Sequence, residues 1–196
     1  AIASKLPLED IHTNFNSDGL PNQARYISAT ISLPNNKAIN VSSIYVPNGG
    51  EIGSENFKYK LNFLDALNNW AQEVNQHDET FIIGGDFNVA LHEIDVYDPV
   101  RLEGTTCYHP EERLRMRSLL NTGFYDIFRK LNPNKQQFSW WDYRSGAWHR
   151  NHGMRLDYIL LSPSLFDHVK NSYMDDITRG WNRPSDHIPV LCEIDI

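Results

Sequence analysis

The sequence predicts one layered domain of the α/β or α+β class, in which strands and helices share a core. Residues 25–33 alternate apolar and polar side chains, as a half-buried strand does. Residues 58–75 repeat apolar side chains at the spacing of an amphipathic helix. Residues 80–89 form a short apolar run with a polar end, which is typical of a buried strand. Such interleaving along a chain of 196 residues favours a single mixed domain, 1–196.

The remaining elements follow in chain order. The turn sequence PNNK at 34–37 precedes a second strand at 38–46, so the first two strands are predicted to form a hairpin. Pro110 begins a helix, because proline suits the first helical turn and acidic residues suit its positive end. Three segments near the carboxyl terminus predict a buried strand, a helical turn and a closing strand: 156–162, 163–169 and 188–196.

The charge is unevenly distributed. A net charge of −7 argues mildly against a nucleic-acid ligand. Residues 113–155, however, contain nine Lys and Arg against two Asp. Cations neutralise phosphates and aromatic rings stack on bases, so this segment could bind DNA. It could equally be a solvated basic face over a partly buried aromatic cluster. The aromatic residues concerned are Phe138, Trp140, Trp141, Tyr143 and Trp148.

Two bulk features restrict the class of protein further. No apolar run reaches the roughly 18 residues that cross a bilayer, so no membrane partner is expected. The two cysteines, Cys107 and Cys192, lack the paired spacing of a zinc site. Isolated thiols are typical of a reducing compartment, so we expect a cytoplasmic, bacterial-type protein used at the nucleoid.

The segment GGDFN at 84–88 is the first candidate for chemistry. If the strand continues through it, Asp86 and Asn88 point the same way, about 7 Å apart. A carboxylate there can orient a water molecule or bind a divalent cation, and an amide can donate to a charged oxygen. The alternative is a tight turn, which Gly, Asp and Asn all favour.

A second group of candidates lies near the carboxyl terminus. In the segment SDH at 185–187, His187 can act as acid, base or phosphate donor, or it can be an incidental residue of a surface turn. Asp157 begins an apolar strand, where a carboxylate needs a partner. The candidate partners are Arg155, on the same strand face, and His187, whose tautomer a carboxylate would fix.

The order of the motifs is more specific than any one of them. YVPN, GGDFN, FSWWDYR, RLDYILLS and SDHIPV resemble the motif series of the exonuclease III-type apurinic/apyrimidinic endonucleases, in the endonuclease/exonuclease/phosphatase superfamily. FSWWDYR and DVYDP favour this branch over the inositol-phosphate and sphingomyelin phosphatases. The resemblance implies a deoxyribonuclease I-like, four-layered sandwich: two mixed β-sheets packed face to face, flanked by helices, with amino-terminal strands missing.

The resemblance also implies roles for the residues of these motifs. Asp86 would orient or deprotonate the attacking water, and Asn88 would help to hold the phosphate and the metal. His187, oriented by Asp157, would contact the scissile phosphate, and Tyr45 would lie against it; otherwise Tyr45 is a core tyrosine that ends a strand. The implied metal ligands are Asp86, Asn88, Asp186 and His187. The implied DNA contacts, including the pocket for a base-free sugar, are Asn48, Trp140, Met154, Leu156 and Arg155.

The implied reaction is hydrolysis of a phosphodiester by in-line attack of water, with Mg²⁺ or Mn²⁺ stabilising charge on the oxygens. The implied partner is double-stranded DNA, cut on the 5′ side of abasic sites or trimmed of nucleotides and blocks at 3′ ends, in base excision repair. Two rival functions are a phosphatase acting on a small or lipid phosphate and a non-catalytic DNA-binding module.

The amino terminus departs from the family pattern. AIASKLPLED matches a family segment that normally follows an Asn motif and the Glu that is the principal metal ligand. Glu9 and Asp10 lie in the wrong segment to replace that Glu. We therefore expect these residues by themselves to bind the metal weakly and to have little activity. We also expect exposed sheet edges, which invite pairing with another chain.

Overall fold

The computed structural model describes residues 1–15, 23–34, 37–76 and 79–195. Eight strands and four α-helices are described. The strands are β1 (Glu9–His12), β2 (Tyr26–Ser32), β3 (Ala38–Tyr45), β4 (Phe81–Asp86), β5 (Tyr125–Asp126), β6 (Asp157–Leu161), β7 (Val169–Met174) and β8 (Val190–Ile194). The helices are α1 (Glu55–Gln76), α2 (Pro99–Leu102), α3 (Pro110–Asn121) and α4 (Ile127–Leu131). None of the described helices is long and apolar enough to cross a membrane.

A mixed six-stranded sheet forms the centre of the domain, in the order β1-β2-β3-β4-β6-β5. The predicted hairpin is confirmed, since β2 and β3 pair antiparallel from Tyr26 opposite Ile44 to Ser32 opposite Ala38. The middle of its predicted turn, residues 35 and 36, lies outside the described residues. β3 pairs with β4 in parallel and β4 pairs with β6 antiparallel, so the strands that carry the candidate motifs are neighbours.

Helices cover one face of the central sheet. α1 packs there through the apolar stripe predicted from the sequence, and α3 lies beside it. Three aromatic rings meet edge to face at the end of this core. The ring centroids of Phe15 and Tyr26 are 5.2 Å apart, and those of Tyr26 and Trp70 are 5.6 Å apart. Burial on this face is nearly complete: Leu64, Leu67 and Ala71 are at most 1% exposed.

The second sheet covers the other face of the central sheet. It consists of β7 and β8, which pair antiparallel, and Cys192 and Ile194 of β8 pack over Leu161. Two packed sheets were expected, but this one is antiparallel in the described residues, whereas the resemblance implied a mixed sheet. The predicted helical turn is confirmed as a 3₁₀ helix at Pro163–His168.

The second sheet leaves part of this face uncovered. Within the described part of the chain β8 pairs with β7 alone, so no described strand pairs with its other edge. Apolar residues on this side, among them Ile82, Ile159 and Cys192, are only half buried. An open strand edge beside half-covered apolar side chains is a surface that can accept another strand.

Candidate active site

Three side chains singled out by sequence lie side by side on adjacent strands. Tyr45 of β3 is opposite Asp86 of β4, and Asp86 is opposite Asp157 of β6. Paired residues of neighbouring strands project from the same face, so the tyrosine and both carboxylates share one end of the sheet. Gly85 permits this register, because a Cβ atom there would collide with the carbonyl oxygen of Ile44. Tyr45 is 50% exposed, so it is not a core tyrosine.

The GGDFN segment turns directly after β4, and Asn88 adopts a φ of 51°. Its backbone N–H donates to Asp86 Oδ1 at 2.8 Å, and its side-chain amide donates to Asp86 Oδ2 at 2.9 Å. The same amide donates to the carbonyl of Val46 at 2.9 Å. Asp86 and Asn88 therefore meet through a turn and not through a continued strand. Because both amide N–H groups bond within the protein, Asn88 orients Asp86 in this structure and does not donate to a phosphate oxygen as expected.

His187 is the partner of Asp157. Its Nδ1 lies 2.8 Å from Asp157 Oδ2, which confirms the pairing that competed with Arg155 in the sequence. The Ser139 hydroxyl donates to the same carboxylate oxygen at 2.6 Å and accepts from the backbone N–H of Leu156 at 2.9 Å. The carboxylate is thus fixed from two sides. It can hold the imidazole with Nδ1 protonated, leaving Nε2 for a substrate.

The two titratable groups of this site have displaced pKa values. Burial and the negative charge of Asp157 raise the pKa of Asp86 to about 7, although the Asn88 N–H and the charge of His187 oppose the rise. For His187 burial lowers the pKa, but the hydrogen bond to Asp157 and its charge outweigh burial, so the pKa is raised. Near neutral pH the site therefore combines a carboxylate able to accept a proton with an imidazole able to be a cation.

Lys60 holds the loops on which Asn48 and Asn88 lie. Its ammonium donates to the backbone carbonyls of Asn88 at 2.7 Å and Asn48 at 3.0 Å, and it forms an ion pair with Glu112 of α3. Both charged side chains are 0% exposed. The Asn48 amide in turn donates to Asn88 Oδ1 at 3.1 Å, so Asn48 lies at the site as expected.

Sequence reasoning missed this lysine, although a signal was present. Lys60, Leu64, Leu67 and Ala71 follow the i, i+4, i+7, i+11 spacing of one helix face, and all four are buried. A lysine on an apolar stripe requires a buried acceptor. The spacing alone does not indicate that Glu112 is that acceptor.

Arg155 does not contact DNA, so that expectation is wrong. It is fully buried, with Nε 2.7 Å from Asp95 Oδ1 and Nη2 2.7 Å from Asp126 Oδ2. Arg129 adds a second cation, 2.6 Å from Asp95. Arg155 lies two positions from Asp157, but its side chain joins this ion-pair cluster, formed by Asp95, Asp126, Arg129 and Arg155. Its role is structural.

The expected sugar pocket is only partly open. Trp140 is half-buried, and its indole N–H donates to Asp186 Oδ2 at 3.1 Å. Trp140 also forms isolated bridges with Met154 and His187, which place it next to the imidazole. Met154 is 6% and Leu156 3% exposed, so Leu156 supports the pocket from within the core and its surface is not open to a ligand.

A basic cleft of about 520 Å³ opens beside Trp140 and Met154. Arg101 and Arg150 line it, together with His152, whose ring stacks on Tyr97 at a centroid distance of 4.4 Å. Four more residues of the cleft belong to the basic segment 113–155: Asp142, Arg144, Ser145 and Ala147. Cations beside an aromatic side chain suit a polyanion that carries bases.

The described side chains do not complete a metal site. Across residues 1–15, 23–34, 37–76 and 79–195, no three His, Cys, Asp or Glu side chains are grouped to hold an ion. Both oxygens of Asp86 accept from Asn88, and Asp186 is turned toward Trp140. Mg²⁺ requires several well-placed oxygen ligands. The expected set of Asp86, Asn88, Asp186 and His187 is therefore insufficient without a further ligand.

Known proteins resemble this chain over most of its length. The model of the Endonuclease/Exonuclease/phosphatase family matches residues 1–187, so the chain belongs to this family. It is 30% identical to exodeoxyribonuclease III of Haemophilus influenzae, over 98% of this chain and 75% of that protein. It is 34% identical to an exodeoxyribonuclease of Bacillus subtilis, over 80% of this chain and 60% of that protein.

Solved structures give the same result for the fold. The 3′ phosphatase NExo from Neisseria, bound to a product DNA hairpin, superimposes with a TM-score of 0.92 and 32% identity, over 98% of this chain and 73% of that one. An AP endonuclease from Archaeoglobus fulgidus superimposes with a TM-score of 0.88 and 33% identity, over 97% of this chain and 72% of that one. The predicted deoxyribonuclease I-like class is confirmed. The family comprises divalent-metal-dependent hydrolases that include exodeoxyribonuclease III and AP endonucleases.

Proposed function

We propose that this chain belongs to a DNA repair phosphodiesterase that cuts 5′ to abasic sites and removes nucleotides or blocking groups from 3′ ends. The observation that carries the proposal is the joined set of Asp86, Asp157 and His187 at one end of the central sheet. The relatives support the substrate class, since their names are exodeoxyribonuclease III, AP endonuclease and 3′ phosphatase.

The residues of the site would divide the chemistry between them. Asp86, whose pKa is raised to about 7 by burial and by Asp157, would accept a proton from the attacking water. Asn88 holds that carboxylate by two hydrogen bonds. His187, held by Asp157, would donate from Nε2 to an oxygen of the scissile phosphate, and the exposed hydroxyl of Tyr45 would lie against it.

Mg²⁺ or Mn²⁺ would supply charge stabilisation in this reaction, but the described residues lack a complete ligand set. We propose that the chain by itself binds the ion weakly and is weakly active or inactive. A strand added at the open edge of β8, from another chain or from a longer form of this protein, would be placed to contribute a missing ligand. A cytoplasmic location is consistent with the two free cysteines.

The test is cleavage of a labelled duplex that contains one abasic site, alongside a duplex with a 3′-phosphate end. Each is incubated with Mg²⁺ or with chelator, using this chain, a form extended at its amino terminus, and the His187→Ala variant of the extended form. We expect metal-dependent cleavage by the extended form and at least a hundredfold loss in the variant. Cleavage of neither duplex by the extended form, with turnover of a small phosphate monoester, would show that the DNA assignment is wrong.

A further inference from the structure

An exposed tryptophan lies beside the candidate active site. The short 3₁₀ helix Asp176–Gly180 and the loop after it lead directly into His187. Trp181 at the start of this loop is 65% exposed, and Ile177 on the 3₁₀ helix is 74% exposed. A tryptophan loses much favourable burial energy when it is left in water, so its exposure next to a site indicates a ligand surface.

The loop that carries Trp181 is anchored on both sides. Arg179 is buried below it, donates to the carbonyl of Trp141 at 3.3 Å and lies over the ring of Tyr143 at 5.1 Å. Tyr143 also donates its hydroxyl to the carbonyl of Pro184 at 2.8 Å. Because residues before and after it are fixed, Trp181 is presented in a set position, and little conformational entropy is lost when a ligand binds.

A cavity of about 450 Å³ joins this tryptophan to the candidate catalytic imidazole. Trp181, Arg183, Ser185 and His187 all line it. Arg183 is exposed and, among the residues that the structure describes, has neither a hydrogen bond nor an ion pair through its side chain. The cavity therefore brings together an aromatic face, an unpaired cation and the group expected to contact a phosphate.

We propose that Trp181 is a stacking platform for one nucleobase of the bound DNA and that Arg183 binds a phosphate next to it. The proposal rests on the proposed function, since the ligand is placed by His187. Stacking on an aromatic face tolerates any base, and an unpaired arginine adds affinity for the backbone. A protein partner is the less favoured occupant, because the cavity continues into the catalytic site.

Stacking on a side chain requires a base that is not paired within the duplex. The platform therefore favours a frayed or unpaired nucleotide, such as the last one at a 3′ end. We infer that Trp181 contributes more to the binding of a DNA end than to the binding of an uninterrupted duplex. In this way the loop would bias the enzyme toward its activities on 3′ ends.

The experiment measures binding in excess chelator, so that no cleavage occurs. The probe is a duplex with an unpaired 3′-terminal 2-aminopurine, whose fluorescence falls when the base stacks. We expect Trp181→Ala to bind this probe roughly tenfold more weakly and to lose the fluorescence change, and Trp181→Phe to retain most of both. The control Tyr173→Ala removes another exposed aromatic side chain, from β7, and should leave binding unchanged. Arg183→Ala should reduce the slope of the logarithm of the binding constant against the logarithm of the salt concentration by about one.

The outcomes separate this inference from the function on which it rests. If the wild-type chain binds the probe but Trp181→Ala binds and quenches it equally well, the platform is overturned and the nuclease assignment stands. If neither the wild type nor any variant binds DNA, the platform and the nuclease assignment are both overturned. If Trp181→Ala leaves DNA binding intact but abolishes self-association in sedimentation, the exposed tryptophan serves a protein contact, and the nucleobase platform is rejected.

Discussion

The pKa of an aspartate is shifted in opposite directions in two charged clusters of this domain, the buried ion-pair cluster and the half-buried candidate active site. In the ion-pair cluster, burial tends to raise the pKa of Asp95, but Arg155 and Arg129 outweigh it and lower the pKa. At the candidate active site, burial and Asp157 raise the pKa of Asp86 to about 7. The first cluster matches two carboxylates with two guanidinium groups. The second sets Asp86, Asp157 and the nearby Asp186 against one imidazole.

The difference separates a structural cluster from a reactive one. Balanced ion pairs keep each group in its ordinary charge state, so they hold elements together and exchange no protons near neutral pH. An excess of carboxylate leaves one group poised to gain or lose a proton, which is the property that a general base requires. Burial raises the pKa of both aspartates, so the opposite directions of their shifts follow from the charges that accompany each one.

The largest effect on stability is expected from removing a cation from the ion-pair cluster. Arg155→Met leaves Asp95 and Asp126 buried with one cation fewer, and it should destabilise the fold by roughly 3–5 kcal/mol. Arg144→Met is the matched control, because Arg144 forms an exposed pair with Asp142 and should change stability by less than about 1 kcal/mol. Urea unfolding measures both. Equal, small losses in the two variants would mean that the buried cluster is not a structural element.

The next largest effect is expected at Lys60, which joins α1, α3 and the site loops. Lys60→Met leaves Glu112 buried without its cation and should cost about 3 kcal/mol. It should also shift the side-chain amide signals of Asn48 and Asn88 in NMR spectra, since the carbonyls of both residues lose a donor. Lys58→Met, two positions away in an exposed pair with Glu55, should alter neither stability nor these signals.

The sequence was most informative where a signal is local. Apolar periodicity identified α1, β2 and β8, short apolar runs identified β4 and β6, and a turn signal before it identified β3, because each of these signals lies within a few neighbouring residues. β7 was missed, since its sequence VKNSYM has no apolar alternation and it is a strand through pairing with β8. The Asp157–His187 pair was one of two alternatives, because nothing in the sequence shows whether the chain brings residues 30 apart together.

The errors at the site have the same origin. Arg155 was placed against DNA, yet its partner Asp95 is 60 positions away and Asp126 is 29 positions away. Asn88 was expected to donate to phosphate, but the turn that follows β4 directs its amide to Asp86 and Val46. Each assignment depended on the direction of one side chain, and direction is set by tertiary contacts that leave no periodic trace in the sequence.

The candidate active site has more carboxylates than cations, and a substitution at Asp86 tests this through the direction in which it changes the free energy of unfolding. A carboxyl group whose folded pKa of about 7 exceeds its unfolded value stabilises the fold only while protonated. That stability is therefore lost as pH rises from about 4 to about 7. Asp86→Asn should be more stable than the wild type at pH 8, by roughly 1–2 kcal/mol after loss of one Asn88 hydrogen bond. Asp95→Asn should be less stable at the same pH. If Asp86→Asn is also destabilised at pH 8, the claimed excess of negative charge is incorrect.

The smallest effect is expected at His187, the imidazole of the candidate active site. The hydrogen bond and charge of Asp157 raise the pKa of His187 against the opposing effect of burial. This pair stabilises the fold below the ordinary histidine pKa, and the contribution is lost as pH rises through the raised value. In Asp157→Asn burial remains but the charge of Asp157 is gone, so the pKa of His187 should fall below its wild-type value, although the charges of Asp86 and Asp186 still raise it. NMR titration of the imidazole in chelator measures it. Ser139→Ala removes a neutral donor to the same carboxylate and should leave the His187 pKa raised, so a fall in both variants would assign the effect to local disorder instead of charge.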